Sequence, residues 1–210
     1  MIIYKYNKMI IIVARYNENV DWTKQFPNVL IYNKGTDLND FTNAINTENV
    51  GREGHTYYKY ICDNYDNLED YTIFLQGNPF DHSPNVVSNI NNYLTQINNN
   101  LINIEFAYLS EKILPCNLTN CSFHLNLPLS ESYEKLFGEK KELNFNFGAG
   151  AQFIVSKTQI LKRPKKFYEK IVQMLEYSVN PIEGFVIERF HGLIFENSHI
   201  NPLNIQKKKK

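Results

Sequence analysis

Residues 9–14 (MIIIVA) form an unbroken apolar run dominated by Ile and Val, closed by the polar stretch 15–19. A run without polar alternation predicts a strand buried on both faces, as in a parallel sheet. Residues 29–32 (VLIY) repeat the pattern and stop at Asn33, Lys34 and Gly35. Residues 71–75 (YTIFL) repeat it again and stop at Gln76, Gly77, Asn78 and Pro79. Between the second and third runs, Tyr58, Ile61, Cys62 and Tyr65 recur at helical spacing and predict a helix over 55–66. Strands alternating with helices predict a βα-wound sheet.

Downstream, Ser83 reads as a helix cap with Pro84 at the first helical position. Val86, Val87, Ile90, Tyr93, Leu94, Ile97 and Leu101 then make one apolar stripe. A strand is expected over 104–109, an irregular loop over 115–128 and a short helix over 130–137, stopped by Gly138. Residues 144–156 alternate and carry glycines, as a strand pair or a strand entering a tight turn would. Two helices close the chain, one over 167–177 and one starting at Asn180, with Asn180 and Glu183 at capping-box spacing. No repeat or linker interrupts the series. The expected organisation is one α/β domain over 1–206, a central mostly parallel mixed sheet flanked by helices, followed by a four-Lys basic tail over 207–210.

Length agrees with that reading, because a domain of 210 residues buries roughly 70% of its extended-chain surface and needs no covalent or metal staple. The 22 Lys and Arg balance the 22 Asp and Glu, so no global basic footprint points to nucleic acid. The longest apolar run is far shorter than the roughly 20 residues that span a bilayer, and it lacks the flanks of a secretory signal. No membrane span and a cytoplasmic location are therefore expected. Cys116 and Cys121 are spaced to close a small loop, but free buried thiols, together with Cys62, are the expectation in a reducing compartment. The 29 asparagines fit AT-rich coding, which removes the functional weight of any single one, sequons at Asn117 and Asn120 included.

Candidate chemistry falls on loops. In open α/β sheets ligands bind outside the carboxyl ends of the strands, which places residues 15–19, 33–35 and 76–83 together. Residues 49–55 (NVGREGH) are a Gly-containing loop feeding a helix N-terminus, either an ordinary turn or an anion cradle with Arg52 as a phosphate ligand. Glu188 and His191, three apart, fall off the Ile182, Val186, Phe190, Leu193 stripe; they form either a solvated pair or a cleft-facing one, with Glu188 as general base. Trp22 and Tyr16 read as packing residues, with an aromatic beside the first strand end also suited to stack on a nucleobase.

Residues 13–18 (VARYNE), 49–57 (NVGREGHTY) and 74–82 (FLQGNPFDH) resemble a family of small proteins known only as a domain of unknown function. Residues 150–156 (GAQFIVS) and 188–195 (ERFHGLIF) resemble its later motifs, so the likeness spans about residues 9–196. The order of strands and loops also resembles the nucleotide-sugar half of GT-A glycosyltransferases. That resemblance implies a single GT-A-like, Rossmann-related domain that transfers a sugar, from a UDP-sugar by preference, to a glycan or protein-linked hydroxyl. It implies donor contacts from Ala14, Arg15, Tyr16, Asn17, Glu18, Lys34, Gly51, Arg52, Glu53, Gln76, Gly77 and Asn78. Glu188 and Asp81 would be catalytic, and Asp81, His82, Asn78 and His191 would hold Mn2+ or Mg2+. This chain departs from the GT-A pattern where Gln76-Gly77-Asn78 replaces Asp-x-Asp; amide oxygens bring no charge to a hard cation, so metal affinity should be lower. The rival expectation is a catalytically inactive nucleotide- or sugar-binding module on the same fold.

Overall fold

A computed structural model describes residues 8–121 and 123–195; the basic tail lies outside them. Six strands form the main sheet: β1 (Met9–Arg15), β2 (Val29–Asn33), β3 (Ala44–Asn46), β4 (Tyr71–Gln76), β5 (Phe106–Tyr108) and β8 (Phe153–Ser156), in the order β3-β2-β1-β4-β8-β5. The first four are parallel, with Ile11 opposite Val29 on one side and Ile73 on the other. The chain fills one half of the sheet outward from β1, then returns to lay β4 on the free side of β1. A topological switch point therefore separates β1 and β4.

The continuous apolar run of β1 is explained by cores on both sheet faces. Ile12, Ala14, Tyr32, Phe74 and Phe153 point to one face and pack with α1 (Arg52–Asp63), α5 (Lys165–Leu175) and α6 (Ile182–Ile194). Ile11, Val13, Ile31, Ile73 and Leu75 point to the other and pack with α2 (Val86–Asn98). Alternation within an all-apolar strand sends successive residues to different cores.

Several expectations change. Helix α1 begins at Arg52 and ends at Asp63, before the sequence boundary of 66. Ser83 does not cap α2: its hydroxyl donates to the Leu109 carbonyl at 2.9 Å, α2 starts at Val86, and Leu101 lies beyond the helix, exposed. The expected loop 115–128 contains most of β6 (Ile113–Asn117), which pairs with β7 (Asn144–Gly148) in a separate two-stranded sheet. Residues 144–156 are therefore two strands in two sheets, and β8 runs antiparallel between β4 and β5. The short strand β3 carried no apolar signal. Helix α3 (Leu129–Phe137) ends at Gly138 as expected, the short α4 (Lys157–Ile160) follows β8, and α5 ends at Leu175, inside its expected bounds. Cys62, Cys116 and Cys121 are free and buried. Among the described residues no helix is long and apolar enough to cross a membrane.

Candidate functional site

A cleft of about 660 Å³ opens at the carboxyl ends of β1, β2 and β4, at the switch point. Five separate segments line it: Ala14, Arg15, Tyr16 and Glu18 after β1; Lys34 after β2; Asn49, Arg52 and Glu53 at the start of α1; Gln76, Asn78 and Asp81 after β4; and Val179 and Asn180 before α6. Of the residues singled out in the sequence, Asn17, Gly51, Gly77, His82, Glu188 and His191 are not part of its lining.

The β1 loop is held by its own polar groups. Arg15 is almost fully buried; its Nε donates to the Glu18 carbonyl and its Nη1 to Asn33 Oδ1 and to the Thr36 carbonyl at 2.7 Å. Its charge is spent on neutral acceptors that tie the β1 and β2 loops together, so it frames the cleft. Asn17 does similar work, accepting from the Thr36 N–H and hydroxyl. Glu18 accepts from the Tyr16 N–H at 2.6 Å and lies against Gly77, where an added Cβ would stand 2.6 Å from its Oε2. Trp22 donates from its indole to the Gly77 carbonyl, so it supports the β4 loop. Tyr16 is half-exposed at the cleft edge, open to stack.

The 49–55 loop is not an open anion cradle. Gly51 and Arg52 both take left-handed backbone conformations, at φ 64° and 53°. Their N–H groups donate to the Ser178 and Val179 carbonyls, so they are closed to a phosphate. The Arg52 guanidinium crosses to Asn180 Oδ1 at 2.9 Å and stacks over Phe185 at 4.3 Å. Asn180 is therefore a partner of Arg52, and Glu183 accepts from the Tyr177 hydroxyl; the capping box is not formed, and Pro181 occupies the cap. Lys34 reaches under the loop to the Val50 and Arg52 carbonyls, and burial pushes its pKa down to about 8.

Two carboxylates influence one another where α1 packs on α6. Arg52 packs on Gly184 and Tyr57 on His191, so Glu188, one turn after Gly184 on that face, looks toward Glu53. Burial raises the Glu53 pKa; Arg52, with Nε 3.7 Å from its Oε2, opposes the shift and the Glu188 charge adds to it. The buried Tyr57 hydroxyl, whose own pKa burial raises, senses both charges and has no hydrogen-bond partner among the described residues. Glu188 accepts from the Gly150 N–H at 2.7 Å and from Arg189 at 3.2 Å, behind the cleft.

The four expected metal ligands do not converge. Asp81 and Asn78 share the β4–α2 turn, joined at 3.3 Å through the Asn78 amide NH2, while Asn78 Oδ1 faces the Phe80 N–H. The His82 ring lies against Gly150 with Nδ1 buried and without a partner among the described residues. His191 is a correction. It is wholly buried between Tyr58 and Phe153, its Nδ1 2.8 Å from the Tyr58 hydroxyl, and burial lowers its pKa to about 3. The stripe reading fails because α6 is buried on nearly every side, which leaves no polar face for a cleft. Among the described residues, no three His, Cys, Asp or Glu side chains are grouped to hold a metal ion. Val179 and Asn180 are the lining residues that sequence reasoning missed, because only the packing of α6 on α1 brings them to the loops.

A family profile described as "Protein of unknown function (DUF3431)" matches residues 10–207 and so takes in all five motif segments. Neither a curated protein nor a solved structure matches the chain.

Proposed function

The chain belongs to the DUF3431 family, and we propose that its switch-point cleft binds a nucleoside diphosphate sugar, a UDP-sugar by preference, and transfers the sugar to a glycan or protein-linked hydroxyl. The observation that carries the reading is Glu53: a carboxylate at the cleft wall, at a helix start, with its pKa raised by burial. A raised carboxylate pKa suits a general base at neutral pH, and perturbed groups in clefts concentrate at functional sites. Glu53 takes the acceptor hydroxyl proton, the acceptor oxygen bonds to the sugar carbon, and the carbon–oxygen bond to the diphosphate breaks with its electrons leaving on the nucleotide. Glu188 backs Glu53, which moves the base role assigned from sequence one helix across the interface. Tyr16 stacks on the base, and Lys34 and Arg52 supply positive charge toward the diphosphate. Asp81 is the one carboxylate on the β4 loop suited to meet a divalent ion, Mn2+ or Mg2+, arriving with the donor.

Isothermal calorimetry with UDP, GDP and CDP, with and without Mn2+, followed by donor turnover in the presence of simple sugars, tests this. One nucleotide should bind, and Glu53→Gln should keep that binding while losing at least about 100-fold in turnover, the usual worth of a general base. Absence of binding by any nucleoside diphosphate would refute the donor site. Binding without turnover in the wild type would favour the inactive module.

A further inference from the structure

Cys116 and Cys121 stand apart from the cleft. Cys116 lies in β6, and the chain turns back through 117–120 so that Cys121 forms an isolated antiparallel bridge with it. The Asn117 N–H bonds the Asn120 carbonyl inside the pair. Cys116 and Cys121 are therefore opposed as a non-hydrogen-bonded pair, the arrangement that brings Cα atoms to about 4.5 Å and side chains closest together. A disulfide needs a Cα separation of roughly 4.4–6.8 Å, so backbone placement already satisfies it. The turn is fixed independently: Asn117 Oδ1 accepts from the Thr119 and Asn120 N–H groups at 2.9 and 2.6 Å. The two thiols are free and buried, and Cys116 Sγ donates to the Asn117 carbonyl at 3.5 Å. Cys116 also lines a surface pocket of about 400 Å³ with Asn117, Asn120 and Asn144, which gives a small oxidant a way in.

We propose that Cys116 and Cys121 form a reversible oxidation site, closing to a disulfide by exchange with a small disulfide such as oxidised glutathione. The Cys116 thiol loses its proton and attacks one glutathione sulfur, releasing one reduced glutathione and leaving a mixed disulfide. The Cys121 thiol loses its proton and attacks the Cys116 sulfur, releasing the second. Two protein thiols are oxidised to one disulfide while one oxidised glutathione becomes two reduced molecules. Burial and the neighbouring Cys121 thiol hold the Cys116 pKa well above that of a free thiol, so the first step is slow at neutral pH and the pair stays reduced until oxidant is abundant. Closure fixes the root of the segment carrying His124, which contacts Arg189 at 3.0 Å and packs on Phe185.

The test treats the native protein with oxidised glutathione, blocks remaining thiols after denaturation and maps the peptides. A cross-link joining Cys116 to Cys121 is expected, reversed by dithiothreitol, with one thiol, Cys62, left to block. Its rate should rise about tenfold per pH unit between pH 7 and 9, as thiolate attack by a high-pKa thiol requires. Cys62→Ser should form the same cross-link, and Cys121→Ser should instead accumulate a glutathione adduct on Cys116. Three blocked thiols in the treated wild type, or a cross-link involving Cys62, would overturn the proposal.

Discussion

The environment of His191 makes the acid stability of the fold a quantitative matter. Its imidazole is buried, with Nδ1 2.8 Å from the Tyr58 hydroxyl and Nε2 without a partner among the described residues, so a second proton meets no counter-charge there. Burial sets its pKa at about 3, against 6.5 when unperturbed. Below pH 6.5 the unfolded chain therefore binds a proton that the native state refuses, and the stability present above 6.5 is lost as pH falls toward the folded value. From these two values, lowering pH from 7.5 to 5.0 costs about 2 kcal/mol through this residue alone. Burial lowers the His55 pKa as well, to about 4, while the raised Glu53 pKa acts in the opposite sense. The comparison that isolates His191 is therefore between variants. His191→Asn keeps an acceptor near the Nδ1 position and cannot titrate. Urea unfolding at pH 7.5 and 5.0 should show the wild type losing about 2 kcal/mol more than His191→Asn between the two pH values, whatever the variant loses at both. Equal losses would refute the assignment of a neutral buried imidazole.

Two further outcomes bear on the cleft. Gly77→Ala brings a Cβ to 2.6 Å from the Glu18 carboxylate and should cost about 1–3 kcal/mol, the usual range for overpacking; combining it with Glu18→Ala should recover part of that loss, and strict additivity in urea melts would contradict the contact. Lys34, with its pKa lowered to about 8, should be acetylated by limiting acetic anhydride at pH 8 ahead of surface lysines, where ordinary ammonium groups are less than about 1% neutral; peptide mapping reads the order, and uniform labelling would contradict it.

What the chain makes legible locally is what period and punctuation control. The runs at 9–14, 29–32 and 71–75 became adjacent strands because no other arrangement buries both faces of each, and Gly138 stopped α3 at φ 79° because its left-handed turn is cheap for glycine. The loops ending β1, β2 and β4 met in one cleft because strand direction carries them to the same edge. Legibility ended where a partner lies far along the chain. Arg52 and Asn180 are 128 residues apart, and nothing in NVGREGH announces that the Gly51 and Arg52 amides are taken by 178–179. Ser83 has a cap's chemistry, but the Leu109 carbonyl just after β5 takes its hydroxyl instead. His191 was misplaced because periodicity assumes a solvent face that α6 lacks. The antiparallel course of β8 was also invisible, since FIVS reads the same in either direction of pairing.

That reversed strand sets an order of events during synthesis. β8 pairs Ile73 with Ile154 on one side and Ala107 with Ile154 on the other. Until the ribosome has delivered the chain through Ser156, β4 and β5 both present bare apolar edges with nothing between them. Such long-range pairing is slow to find and exposes aggregation-prone surface while it waits. A nascent chain stalled near residue 150 holds most of the cleft loops but not the strand that joins the two parts of the sheet, so it should depend on chaperones more than either a shorter or a finished chain.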